Sequence, residues 1–536
     1  MRRVSFVAIV IAIAIGVFFR FDRLNGKLYT NDEATTSVHV SGHTVADYEA
    51  ATAAGSIARV GDILRFQHVD RNTSLRDVVA GLAVEDAQHP PLFYVLERGW
   101  QTIFGNSIAA RRALPALFGA LAILCAYLFG VALMGRGPFA AVLAALVAVS
   151  PFHILYAQQA REYSLWTCVI FLSGAALLRA LAAPSALRWA GYALSLAVGL
   201  YTDVVFVYTL AAHAIFVVLA YRRELRRELI PFALAVGAAL VAFMPWIAAL
   251  VLGRAAITNN NYLGMPLALK LFALKWIFNA GAVFFDLDYE WHAAAVLLVP
   301  IFGVTVAGAF LLVRQSADRR AWLFVAVLGA TTAMAFLLPD VLRHESRSTA
   351  SRYLIPTWLA CECAAAYAIV CWTRSPRRRV RGAGALALGG FVVVGLASAS
   401  VAAQREYWWG DAGIAPIGPI TRAIGAARPP VTVVFVSDQG AWDFGPVLLA
   451  ASVDPSVRLA YLRADESLTK PRMPGSVFVL DPTAASLARF KRSGWRAQPA
   501  YRYIVDDAAV AALRREAAGN RAADAAAVTA SLWRLR

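Results

Sequence analysis

Apolar runs long enough to cross a bilayer recur along this chain as far as residue 402, and short polar turns separate them. The runs fall at 4–19, 113–133, 139–150, 164–181, 189–206, 207–221, 229–250, 292–313, 322–338, 353–372 and 382–402. Each reads as a transmembrane helix, so the pattern predicts about eleven spans. Two further segments are apolar but broken by charge: 89–104 carries Glu97 and Arg98, and 267–285 carries Lys270 and Lys275.

The arginines decide between the topologies. If both ambiguous segments lie along the interface, the N-terminus is cytoplasmic. The turns 134–138, 182–188, 222–228, 314–320 and 373–381 are then cytoplasmic too, and these are the arginine-bearing turns. If 89–104 alone crossed, every later turn would invert. Segment 89–104 therefore reads as an amphipathic helix on the outer surface. The same topology places 20–112, 151–163, the turn near 201–203, 251–291, 339–352 and the tail after 403 outside. Most of the unusual polar residues of the apolar part fall in those outer stretches, which points to one external active site.

Beyond residue 404 the pattern changes. The runs 431–438, 457–462 and 475–481 read as buried strands, and 484–495 reads as a helix stopped by glycine. Alternating strands and helices predict a small α/β domain over 404–536 after a membrane domain over 1–403, in which 20–112 forms the first outer loop. The expected fold class is a helical polytopic membrane protein with a small C-terminal periplasmic α/β domain.

Composition agrees. Of 536 residues 59% are hydrophobic, more than soluble proteins carry. The net charge of +17 raises nucleic-acid binding, but the positives sit mainly in the inner turns, so that reading is set aside. The five cysteines all lie in apolar runs and imply no disulfide framework; Cys361 and Cys363, in "CEC", read as helix packing. The first run lacks an A-x-A-like cleavage site and is followed by Arg20, which predicts an uncleaved span. Many arginines, few lysines and abundant alanine fit a GC-rich bacterial genome, hence a bacterial cytoplasmic membrane.

Charged groups beside hydrocarbon are costly and tend to be functional. Asp32 and Glu33, in "LYTNDEATTSVHV", follow the first span; they suit a helix first turn and, equally, a general base. His89 stands before tandem prolines in "QHPPLFY", which hold it at a rigid corner. "SPFHILYAQQAREY" places His153, Gln158, Arg161, Glu162 and Tyr163 at an outer boundary, "YTD" adds Asp203, and "ASRYLIPTW" adds Arg352 and Tyr353. Arg161 could instead snorkel to lipid headgroups.

In order, "DE", "HPPL", "R-x-LPALFG", "SPFHILYAQQAR-x-Y" and "RYLIP" resemble the GT-C membrane glycosyltransferases. The nearest match is the bacterial branch related to protein O-mannosyltransferases and to the lipid A aminoarabinose transferase, over roughly residues 1–375. The resemblance implies a polyprenyl-phosphate sugar as donor and a hydroxyl acceptor on a glycan, lipid or protein. It implies Asp32 as the base with Glu33 beside it, and His89, Gln158, Arg161, Tyr163, Asp203, Arg352 and Tyr353 as substrate-binding residues. Bacterial members often have Tyr-Thr-His where this chain has Tyr201, Thr202 and Asp203. The chemistry fits on its own terms: an anionic phosphate leaving group needs arginine, and a weak hydroxyl nucleophile needs a carboxylate. No cofactor is required. A divalent metal at Glu33, His89, His344 and Glu345 stays open, although their spacing is no known ligand signature. A transporter or flippase of lipid-linked sugars would also need a lipid groove and arginines, but neither midplane charges nor repeated halves are evident.

Overall fold

The structure, a computed structural model, describes residues 3–52, 56–221, 225–253, 267–287, 296–316, 318–408, 416–437, 452–463, 475–504 and 528–536. They form two compact units. The first comprises Met1–Leu24, Leu82–Leu96 and Ala109–Gln404; the second comprises Asn25–Gly81, Glu97–Ile108 and Arg405–Arg536. Much of the outer stretch 251–291 and the turn 222–224 lie outside the described residues.

In chain order the first helices are α1 (Arg3–Phe21), α2 (Asn31–Ser41), α3 (Val45–Ala51), α4 (Val60–Leu64), α5 (Leu75–Glu85), α6 (Leu92–Phe104) and α7 (Ile108–Met134). Then come α8 (Pro138–Val149), α9 (Pro151–Ala157), α10 (Tyr163–Ala182), α11 (Ala186–Thr202), α12 (Phe206–Ala220) and α13 (Leu225–Leu252). Helices Leu269–Ala282, Leu298–Gln315, Arg319–Arg343, Ile355–Thr373 and Arg378–Gln404 follow.

The first unit is a bundle of apolar helices. Among the described residues seven are long and apolar enough to cross a membrane, and α8 with α9, bent by 59°, makes an eighth if taken as one span. All eleven segments expected to span are helical, with 292–295 of one of them outside the described residues. The other three are α1, which counts over Val7–Phe21, α11 with 17 residues and α12 with 15. Small residues set the closest approaches, as membrane packing requires. A Cβ on Gly16 of α1 would overlap the backbone of Ala148 in α8, and one on Gly308 would overlap that of Ala364.

Side chains satisfy backbone groups where helices end or bend. Arg112 donates to the Leu24 carbonyl at 2.9 Å, Trp246 to that of Ala87 at 2.9 Å, and Ser150, at the α8–α9 bend, to that of Val283 at 2.6 Å. Helix Leu269–Ala282 is tied by Trp276 to Ser348 (3.0 Å) and by Asn279 to the Thr349 carbonyl (2.8 Å). Helix α6 starts just after the tandem proline. Its Leu96, Ile103 and Phe104 are exposed, whereas Glu97, Arg98 and Gln101 are buried, so it is amphipathic with the apolar face outward.

The second unit is built on a six-stranded sheet of order β1-β3-β2-β4-β6-β5. The strands are β1 (Ile57–Arg59), β2 (Val431–Ser437), β3 (Arg458–Arg463), β4 (Ser476–Leu480), β5 (Ala497–Ile504) and β6 (Val528–Leu535). The central three are parallel, and β1, β6 and β5 add antiparallel edges. Parallel strands are buried on both faces, which explains their unbroken apolar runs. One face packs Val433, Phe435, Leu459 and Phe478 against Tyr48, Phe66 and Ile420. The other packs Val434, Ala460, Leu462 and Val479 against Phe490 and Trp495. Strand β1 comes from the stretch between α1 and α6, so 25–81 folds with the C-terminal sheet.

Candidate active site

In the first unit the chain turns at Asp86, where the His89 amide donates to the Asp86 carbonyl at 2.9 Å, and the tandem proline then leads into α6. Proline supplies no amide donor and suits a helix start, so the imidazole is presented from a stiff corner. Between α9 and α10 the chain makes a second tight turn over 158–162, where Arg161 and Glu162 are 4% and 1% exposed.

These two turns meet. The Glu162 carboxylate accepts from His89 Nδ1 at 3.2 Å and from Arg161 Nη2 at 3.1 Å. Arg161 Nη2 lies 3.4 Å from each ring nitrogen of His89, and Arg161 Nη1 donates to the Tyr94 hydroxyl at 3.3 Å. Asp86 stands 3.9 Å from His89 Nε2. Tyr163 carries the guanidinium 5.5 Å from its ring centroid. Asp203, at the C-terminus of α11, is buried and accepts from the Val205 amide at 2.8 Å.

The charges shape one another. Burial works against ionisation of Glu162, but Arg161 and His89 outweigh it and hold the carboxyl at about 2. Burial, then the nearby Glu162 charge, push Asp203 up to about 7, against the pull of the Val205 amide, His89 and Arg161. For His89, burial and Arg161 oppose protonation, while Asp86 and Glu162 favour it and win, so its pKa is raised. The result is a guanidinium beside an imidazole biased towards its cationic form, oriented by one ionised carboxylate, with a second carboxyl poised near neutrality. Such a set can receive an anionic oxygen through charge-assisted hydrogen bonds.

Of the residues singled out in the sequence, His89, Arg161, Tyr163 and Asp203 thus come together. Glu162, Tyr94 and Asp86 belong with them. Glu162 was legible only as the neighbour of Arg161; its burial and its contact with a histidine 73 positions away exist only in the fold. Gln158 instead donates to the Phe19 and Asp22 carbonyls, both at 2.7 Å, closing the end of α1. Arg352 lies 5.2 Å from the Tyr353 ring centroid, and Tyr353 stacks on Phe336 at 5.4 Å.

Asp32 and Glu33 lie in the second unit, in the first turn of α2. Thr30 and Glu33 form a reciprocal capping box: the Glu33 amide donates to the Thr30 hydroxyl at 3.1 Å and the Thr30 amide to the Glu33 carboxylate at 3.0 Å. Glu33 is fully buried and Asp32 half-buried. His344 closes helix Arg319–Arg343 in the left-handed conformation, φ 56°. Glu345 pairs with Arg347 at 3.0 Å. Among the described residues no three His, Cys, Asp or Glu side chains are placed to hold a metal ion.

The sequence model of the dolichyl-phosphate-mannose-protein mannosyltransferase family matches residues 88–248, the stretch that carries His89, Arg161, Glu162 and Asp203. The fold is similar to that of ArnT from Cupriavidus metallidurans. Against the structure bound to undecaprenyl phosphate the TM-score is 0.53 at 14% identity, covering 100% of this chain and 98% of that one. Against the apo structure it is 0.54 at 14% identity, covering 99% and 97%. Comparison with curated proteins by sequence gives no match. Its apolar helices make the chain a multi-pass membrane protein. It is similar to the mannosyltransferase family over the matched stretch and to ArnT in fold over its whole length.

Proposed function

We propose that this enzyme moves a sugar from a polyprenyl-phosphate donor to a hydroxyl acceptor at the outer face of the bacterial cytoplasmic membrane. The observation that carries the reading is the Arg161–Glu162–His89 set, an oriented cationic pair between apolar helices. The ArnT structure of the same fold holds undecaprenyl phosphate, a lipid whose headgroup is the leaving group such a transfer produces. Arg161 and His89 hold the phosphate; Tyr163, Asp203, Arg352 and Tyr353 complete the donor site, and Gln158 supports it from the end of α1. Asp32 is the base and Glu33 holds its helix turn. In a single displacement the acceptor oxygen bonds to the anomeric carbon as its proton passes to Asp32. The bond from that carbon to the phosphate oxygen breaks, the electron pair leaves with the phosphate, and configuration inverts.

Arg161→Lys tests the reading. Lysine keeps the charge but loses the planar fork that serves both the Glu162 carboxylate and a phosphate. Purified wild type should bind undecaprenyl phosphate, and the lysine variant should bind it at least about tenfold more weakly with the melting temperature unchanged. Equal affinity of the two proteins would mean that Arg161 only snorkels, and would remove the phosphate site from this place.

A further inference from the structure

Deep in the apolar bundle, away from His89 and Arg161, sits a second polar pair. Glu362, in the middle of helix Ile355–Thr373, is fully buried, and its Oε2 accepts from His153 Nε2 of α9 at 3.2 Å. His153 is 5% exposed, and among the described residues Glu362 Oε1 has no hydrogen-bond partner, although the Glu362 charge also interacts with the buried Arg20 guanidinium. A buried carboxylate satisfied on one oxygen is a poor stabiliser: desolvation offsets the attraction, and apolar replacement of both partners is often neutral or favourable. In an apolar helix it is costly to keep and reads by default as functional. Packing of small residues, the sequence reading of "CEC", does not account for it.

Its place in the chain suggests the role. Helix α9 has only seven residues and meets α8 at a bend of 59°. A helix that short has little stability of its own, so side-chain anchors set its direction. Ser150 holds its start, accepting from the His153 amide at 3.4 Å while donating to Val283. Arg20, fully buried, clamps the last carbonyls of α8, at Val147 (2.8 Å) and Ala148 (2.7 Å). Gln158 fixes the far end to α1. The His153–Glu362 bond is the anchor in the middle, and the turn it steers is 158–162, which carries Arg161 and Glu162.

We propose that Glu362, through His153, is a positioning residue that sets the direction of α9 and so holds Arg161 and Glu162 in register with His89. The consequence for phosphate binding rests on the reading given under Proposed function; the consequence for the turn itself does not.

The test uses the full-length protein in nanodiscs, the apolar double variant Glu362→Leu/His153→Phe, and Glu362→Gln, which keeps a hydrogen bond to His153. Two measurements are made: hydrogen–deuterium exchange of a peptide covering 157–163, and affinity for undecaprenyl phosphate. The double variant should melt within a few degrees of wild type, yet exchange faster over 157–163 and bind the probe about tenfold more weakly. Glu362→Gln should stay near wild type in both. Unchanged exchange in a stable double variant would overturn the proposal, as would Glu362→Gln behaving like the double variant. Should the double variant fail to fold, Glu362→Gln with His153→Phe alone carries the same two readouts. Faster exchange with no probe binding even in wild type would sink the phosphate reading and leave the positioning role standing.

Discussion

Asp203 stands where bacterial members of the resembled family often carry histidine, and its environment makes it behave unlike an ordinary aspartate. Its pKa lies at about 7 against an ordinary 3.8, through burial first and Glu162 second. The folded protein therefore holds a proton that the unfolded chain has shed, so this group's contribution to stability falls as pH rises from about 4 to 7. Above that window a second negative charge stands beside Glu162, in the proposed phosphate site. Asp203→Asn should bind undecaprenyl phosphate as wild type does at pH 5.5. At pH 8.5 it should bind about fivefold more tightly, from relief of a like-charge term near 1 kcal/mol. An affinity ratio that does not change with pH would separate Asp203 from the site. Asp32 makes a different prediction. Asp32→Asn keeps the shape of the first turn of α2 and removes the proposed base, so transfer should fall by at least about 100-fold. Glu33, already in the capping box, should keep the helix and the expression level intact. Wild-type turnover by the asparagine variant would reject the role.

Helices carry these residues, and their packing can be tested apart from the chemistry. Helices Leu298–Gln315 and Ile355–Thr373 approach so closely at Gly308 that a side chain there would overlap the Ala364 backbone, whereas Gly303 of the same helix faces open space. Gly308→Leu should cost about 1–3 kcal/mol, read as a lower melting temperature in detergent, and Gly303→Leu should be close to neutral. Equal effects would show that the two helices do not meet at this point. Element existence was legible because span-length apolar runs and parallel-strand runs leave strong signals. What was not legible depends on partners distant in sequence. "SPFHILYAQQAREY" shows a helix boundary but not that α9 bends by 59° from α8, since the bend is fixed by Val283, Glu362 and the end of α1. The sequence reading of "CEC" concerned Cys361 and Cys363 alone, because nothing local reveals that Glu362 lies 3.2 Å from His153. Nor does anything local show that Gln158 reaches carbonyls more than a hundred positions back.

At the scale of the whole molecule, the sequence separates an apolar part from an α/β tail, and the sheet bears out the three central strands. It hides the edge strand Ile57–Arg59, since three residues with no apolar pattern gain their pairing only from β3. Orientation rests on a different physical argument, the retention of arginine on the cytoplasmic side. Arg377 lies between helices Ile355–Thr373 and Arg378–Gln404, Arg378, Arg379 and Arg381 lie in the first turn of the latter, and that helix leads directly to the second unit. If Arg378–Gln404 crosses the bilayer, the exposed positions 377 and 498 must lie on opposite sides, whatever the number of earlier spans. In a background without the five native cysteines, Arg377→Cys and Gln498→Cys should therefore behave oppositely towards an impermeant thiol reagent added to intact spheroplasts. Position 498 should be labelled and position 377 spared until the membrane is opened. Labelling of 377 alone would keep the crossing but reverse the orientation, moving the second unit and Asp32 to the cytoplasmic side. Labelling of both would deny the crossing itself. Only the first pattern leaves an outer-face transfer in place, because it alone puts the second unit, with Asp32, outside.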